Sequence, residues 1–224
     1  MKIPRSIQVN YESTNDPNTA KQWLEGLPDL IAADLETALR YSKTELQEAK
    51  EKMQDERLSK KERIRYQAIA KATALGHPYH CTITHVNIAW TEEDAYVFII
   101  DNKAIADLVL NFLITTKKKQ IWHNYGYDGR FMRYYADKDP IDIEDTQILA
   151  KTLINHVETY KARTGLKELM GPYYGDWGID AENFDLEKQH DPKVIKYSAI
   201  DAAATFKLWN DLQTFIKNNP LEEV

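Results

Sequence analysis

Asp34 and Glu36 stand two residues apart at the end of the apolar run Leu30-Ile-Ala-Ala33. Such a run reads as a buried strand, and in a strand residues i and i+2 share one face. Two carboxylates that close repel, and each raises the other's pKa unless a positive charge lies between them. A divalent cation with oxygen ligands is the simplest such charge.

Two later clusters carry the same residue types. In Asn124-Tyr-Gly-Tyr-Asp128, Asp128 falls at the expected start of a helix. There a carboxylate favours the positive end of the helix dipole and can cap it, so an N-cap alone would explain Asp128. Tyr197-Ser-Ala-Ile-Asp201 lies in the last expected helix, whose core stripe is Ile195, Ala199, Ala202, Phe206 and Trp209. Tyr197 and Asp201 are i, i+4 neighbours on the adjoining face, aimed at a cleft or meeting as a surface contact.

The elements that must position these residues follow from pattern and punctuation. Residues 1–26 read as an entry segment with a short helix, Asn18 to Leu24. Residues 39–76 predict a helical hairpin, because Ser42-Lys-Thr-Glu45 and Ser59-Lys-Lys-Glu62 are both capping boxes and Gly76 and Pro78 end the second helix. Cys81 to Trp90 and Tyr96 to Ile100 predict an antiparallel hairpin of strands. Helices follow at Ala104 to Ile114, Asp128 to Ala136, Thr146 to Ile154, Leu166 to Met170 and Lys193 to Ile216, with short strands at Lys119 to His123 and Ile141 to Glu144. The order predicts an α/β fold, a mixed five-stranded sheet flanked by helices with a helical hairpin inserted after strand one.

Composition narrows the class. The 224 residues suffice for one domain with decorations, and the single cysteine, Cys81, excludes an internal disulfide and fits a reducing compartment. Met1-Lys-Ile-Pro-Arg5 is not followed by a signal-peptide apolar core and no stretch is long enough to span a bilayer, so a soluble cytoplasmic protein is expected. The net charge of −6 argues against a protein that coats nucleic acid non-specifically. That charge is unevenly spread: residues 40–71 hold ten Lys/Arg and six Asp/Glu (+4), and the remainder 19 basic and 29 acidic residues (−10). The cluster His77-x-x-His80-Cys81-x-x-x-His85 matches no common zinc spacing. Trp122 and Tyr173-Tyr174 read as packing residues, and Lys117-Lys-Lys119 as a solvated turn.

Taken together and in order, Asp34-x-Glu36, Asn124-x-x-x-Asp128 and Tyr197-x-x-x-Asp201 resemble the three motifs of the DEDD superfamily of 3′–5′ exonucleases. The match is to its Tyr-containing branch, which includes the proofreading domain of family A DNA polymerases and RNase D. Lys196 stands where the His-containing branch has its histidine. Thr37, Asp145-Thr146 and Gly165-Leu-Lys-Glu-Leu169 also fit, so the resemblance spans residues 18–215 in segments.

The resemblance implies an RNase H-like fold and hydrolysis from a 3′ end that releases nucleoside 5′-monophosphates. It implies two Mg²⁺ or Mn²⁺ ions about 3.5–4 Å apart, bound by Asp34, Glu36 and Asp201, with Asp34 bridging and Asp128 completing the set. Tyr197 would orient the attacking water, and Thr37 and Asn124 would contact the terminal nucleotide or support its loop. DNA is the expected substrate. Because no polymerase palm fits in this length, a free-standing nuclease or the proofreading subunit of a polymerase is expected, with a role in replication. RNase D-like trimming of RNA is the alternative, and a catalytically silent docking module is the third reading, opposed by the presence of all five residues. The basic hairpin departs from the family: it reads as a solvated decoration, a clamp over single-stranded substrate, or a dock for a polymerase or other replication protein.

Overall fold

The computed structural model describes residues 7–72, 77–153, 164–175 and 188–219. In chain order these form β1 (Asn10–Thr14), α1 (Pro17–Gly26), β2 (Leu30–Leu39), α2 (Lys43–Lys52), α3 (Lys60–Ala70), β3 (Cys81–Ala89) and β4 (Asp94–Ile99). Then come α4 (Lys103–Thr115), β5 (Lys119–Trp122), α5 (Tyr125–Ala136), β6 (Ile143–Asp145), α6 (Thr146–Leu153), α7 (Leu166–Tyr174) and α8 (Pro192–Asn218). Among the described residues no helix is long and apolar enough to cross a membrane.

The α/β class and the mixed sheet are as expected, with one more strand: the order is β1-β4-β3-β2-β5-β6. The sixth strand, β1, lies in what read as an entry segment and pairs parallel to β4. Its sequence, Asn-Tyr-Glu-Ser-Thr, has no apolar alternation, and only Thr14 of its five residues is buried. The strand is made by partner hydrogen bonds at a sheet edge, a signal that local pattern does not carry.

β2 sits inside the sheet, antiparallel to β3 and parallel to β5. Its alternation sends Ala33 and Leu35 into a core with Ala20 and Leu24 of α1, Val109 and Leu113 of α4, and Phe131 and Met132 of α5. Ala32 goes the other way, into a second core with Met170 of α7 and Ile195, Ala199, Ala202 and Phe206 of α8. The small side chains at 199 and 202–204, all buried, let α8 approach the sheet closely.

Both capping boxes form. Ser42 Oγ accepts from the Glu45 amide (3.2 Å) while Glu45 accepts from the Ser42 amide (2.7 Å), and Ser59 and Glu62 repeat this at 3.3 and 2.9 Å. Each box satisfies orphan donors, which matters here because these helices have little apolar surface to bury. The two ends of this insertion are stitched together at its base. Arg40 donates from its amide to His80 O (2.9 Å) and from Nε to Cys81 O (2.8 Å), and Tyr41 Oη meets His80 Nδ1 at 3.2 Å. The second helix ends at Ala70, with the Lys71 amide closing it on Gln67 O, earlier than the stop expected at Gly76; Gly76 and Ile154 lie outside the described residues. The Lys117–Lys119 turn is less solvated than expected: Lys118 donates to Leu27 O at 2.7 Å and Lys119 pairs with Glu144 on β6 at 2.5 Å.

Candidate active site

The face of β2 that carries Ala32 also carries Asp34 and Glu36, and α8 crosses that face with Asp201. One carboxylate oxygen from each of Asp34, Glu36 and Asp201 lies within 4.8 Å of the others. A bulge falls at this point. Glu36 pairs with His85 but Thr37 pairs with Ile83, leaving Thr84 as the extra residue, and its hydroxyl donates to Glu36 O at 3.1 Å. Bulges re-aim side chains, and this one acts on the strand beside Glu36.

Asp128 arrives from the opposite layer. α5 starts at Tyr125, three residues earlier than expected, so Asp128 lies in the first turn rather than at the cap. The cap position belongs to Asn124, in the left-handed region at φ 61°, ψ 48°, which Asn tolerates better than most residues. Asn124 makes no side-chain cap. Instead Asp145 accepts from the amides of Asn124 (3.1 Å) and Tyr125 (2.8 Å), and at the start of α6 from those of Gln147 (2.8 Å) and Ile148 (3.2 Å). One carboxylate thus serves the amino ends of two helices, and Asp128 is set by the turn so fixed. It is 3% exposed and accepts from the Leu35 amide at 3.3 Å.

Crowding and burial act on the protons of this group. Burial raises Asp34 to about 6, opposed by the Asn87 amide, which donates to Asp34 Oδ2 at 3.0 Å from the facing position on β3. Glu36 is pushed well above the carboxylate range by burial and by the charges of Asp34, Asp201 and Asp128. Asp128 is raised likewise, by burial and then by Asp34. Lys167 of α7 works in the other direction on both Asp34 and Glu36, and its ammonium lies 4.5 Å from the centre of the Tyr197 ring.

Glu36 Oε1 is buried with no hydrogen-bond partner, an arrangement that costs free energy unless something positive meets it. An all-oxygen, strongly anionic donor set fits a hard divalent cation such as Mg²⁺ or Mn²⁺. Among the described residues His77, His80, Cys81 and His85 form no such group. His80 turns to Tyr41, and His85 Nε2 donates to Gln189 O at 2.8 Å. Burial drops the His85 pKa to about 4, keeping it neutral at pH 7.

Tyr197 is 7% exposed, and its hydroxyl hydrogen-bonds Asp201. Burial, then the charges of Asp201, Glu36 and Asp34, push its pKa above the usual phenol range, so it stays protonated. Thr37 Oγ1 lies 2.5 Å from Tyr127 Oη, one residue before Asp128. The expected residues therefore converge: Asp34, Glu36, Asp128, Tyr197 and Asp201 share one site, and Thr37 flanks it. Asn124 is exposed at the turn that places Asp128.

Asn87, Lys167 and Tyr127 were not singled out by sequence. A buried amide inside an apolar strand is the signal that could have found Asn87.

The sequence profile of the 3′-5′ exonuclease family matches residues 73–217. The chain belongs to that family. The match takes in Asp128, Tyr197 and Asp201, while Asp34 and Glu36 precede it. No curated protein matches the sequence. Among solved structures, Brucella melitensis NrnC with bound Mg²⁺ is similar, with a TM-score of 0.55 and 17% identity over 96% of this chain and 83% of that one. The catalytic core of Trypanosoma brucei RRP6 superposes at 0.64, with 12% identity over 97% of this chain and 50% of that one. Trypanosoma brucei RNase D in complex with RNA U12 superposes at 0.59, with 13% identity over 97% and 65%. At these identities the likeness is one of fold, and the chain is a 3′-5′ exonuclease by family.

Proposed function

We propose that this chain is a metal-dependent 3′→5′ exonuclease that removes nucleoside 5′-monophosphates one at a time from single-stranded 3′ ends. The observation that carries this reading is the cluster of Asp34, Glu36 and Asp201 around the unpartnered Glu36 Oε1, with Asp128 held against the same strand. Asp34, Glu36 and Asp201 would hold divalent cations, Mg²⁺ or Mn²⁺, with Asp128 adding its charge to the set. When bound, such cations lower the pKa of water and neutralise charge on the departing 3′ oxygen.

The side chains do the rest. Tyr197 gives its proton to the hydrogen bond with Asp201, so its oxygen lone pairs are left to accept from the attacking water and orient it. As a phenol that does not ionise near neutral pH it positions the water and takes no proton from it. Lys167, beside the Tyr197 ring, offers a positive charge to the phosphate under attack. Thr37 and Asn124 border the place of the terminal nucleotide.

RNA is the favoured substrate. NrnC has been solved with pGG and RNase D with RNA U12, and both folds align with nearly all of this chain. DNA is the second reading, supported by the motifs shared with polymerase proofreading domains, and it carries the expectation of a role in replication. The deciding experiment compares kcat/KM for 5′-labelled RNA and DNA of one sequence in Mg²⁺ and in Mn²⁺. A preference of about tenfold or more for RNA supports the first reading, and the reverse ratio replaces it with the second.

A further inference from the structure

Beside the face that carries Asp128, α5 bears a stripe of residues spaced three and four apart: Tyr127, half-buried against Phe131, then Arg130 and Tyr134, both exposed. The stripe starts at the site, where Tyr127 Oη meets Thr37, and the Arg130 guanidinium lies 5.1 Å from the centre of the Tyr127 ring. It ends at Tyr134, 43% exposed, whose ring makes an edge contact with Tyr79 at 5.1 Å. Tyr79 is 64% exposed and stacks on His77 at 4.9 Å and 15°. Seven residue steps along the helix carry Tyr127 to Tyr134, a rise of roughly 10 Å, that of about three stacked nucleotides.

Exposed aromatic rings in mutual contact, as Tyr79, Tyr134 and Tyr135 are, form a patch of the kind that marks an interaction site. These stand at the base of the basic insertion, between Arg40 and the start of β3, on a chain that is otherwise acidic. Arg133, on a neighbouring face, pairs with Asp139 at 2.8 Å, and Arg130 lies over the Tyr127 ring. Rings in a row with one guanidinium among them suit one ligand, a single nucleic-acid strand whose bases stack and whose phosphate meets the cation.

We propose that Tyr127, Arg130, Tyr134, Tyr79 and His77 form a stacking track that binds the two to four nucleotides upstream of the reacting 3′ end. This rests on the nuclease reading above and adds to it a strand direction, from the metal site towards the insertion. The track makes the enzyme prefer strands long enough to reach Tyr79 over dinucleotides. His77 thereby acquires a role in stacking rather than in metal binding.

The test uses the full chain and its Tyr79→Ala/Tyr134→Ala variant with 5′-fluorescein RNA of two, four, six and eight nucleotides. Anisotropy in EDTA reports binding without turnover, and kcat/KM is measured with Mn²⁺. Wild type should gain affinity up to about four nucleotides. The double variant should lose about tenfold on the hexamer and with it the preference for long over short strands, whereas Trp at both positions should restore both. An equal loss on all lengths, or none, overturns the track.

Photocrosslinking wild-type protein to a strand with 5-iodouridine two to four positions from its 3′ end gives a readout that needs no variant. Adducts at Tyr79 or Tyr134 support the track, and adducts confined elsewhere overturn it. Binding without hydrolysis of any strand would defeat the nuclease reading alone, and hydrolysis with length-independent affinity would defeat the track alone.

Discussion

The backbone amide of Leu35 donates to Asp128 Oδ1 at 3.3 Å, and Leu35 is the residue between Asp34 and Glu36. A carboxylate from the α5 layer is thereby attached to the strand that presents two carboxylates to the α8 layer. Asp128→Asn keeps an acceptor for that amide and removes the charge. Its thermal midpoint should stay near wild type or rise, while metal-dependent turnover falls about a hundredfold or more. Thermal melts and single-turnover rates measure both, and turnover within a few-fold of wild type would remove Asp128 from the chemistry.

Burial raises Asp34 to about 6 in the fold, and unfolding returns it towards 3.8. Between those values the folded state binds more protons, so this group's contribution is fully present below about 4 and lost as pH rises through about 6. Glu36 and Asp128 add in the same direction. Metal-free protein should therefore be strained at pH 8 and relieved by acid or by Mg²⁺. Asp34→Asn should stabilise the metal-free protein at pH 8 by about 1–3 kcal/mol, a gain that fades towards pH 4. It should also remove most of the stabilisation by metal. Urea unfolding in EDTA at pH 5, 6.5 and 8 checks the sign; an Asn variant less stable at pH 8 contradicts it.

Tyr197 stays protonated because its pKa lies above the usual phenol range. The profile of kcat against pH should then show no alkaline limb from this residue up to about pH 10. Tyr197→Phe should lower kcat about 10- to 100-fold with metal affinity unchanged. An alkaline limb that vanishes in the Phe variant would make Tyr197 a titrating group instead.

Asp145 joins the first turns of α5 and α6 through four backbone amides. Asp145→Ala leaves them unsatisfied and should cost about 1–3 kcal/mol of stability. Because the same turn sets Asp128, kcat should fall more than KM changes. A variant as stable as wild type would show that water replaces the carboxylate without loss.

Much of this was legible because its signals are local. The capping boxes at Ser42 and Ser59, the core stripe of α8 and the β3–β4 hairpin each follow from spacing within a few residues, and the carboxylates come from three short motifs. What was not legible depends on partners distant in the chain. β1 exists through pairing with β4, and α5 begins at Tyr125 because Asp145, twenty residues on, takes its leading amides. The bulge at Thr84 and the bond from Asn87 to Asp34 belong to strand register, which neither strand specifies alone.

The most direct test of the central claim follows a 5′-labelled single strand over time with Mn²⁺, with EDTA, and with Asp201→Asn in place of wild type. A ladder that shortens by one nucleotide at a time in Mn²⁺, stops in EDTA and is absent in the variant is the predicted result. Cleavage without metal, internal cuts alone, or an undiminished ladder from Asp201→Asn would contradict it.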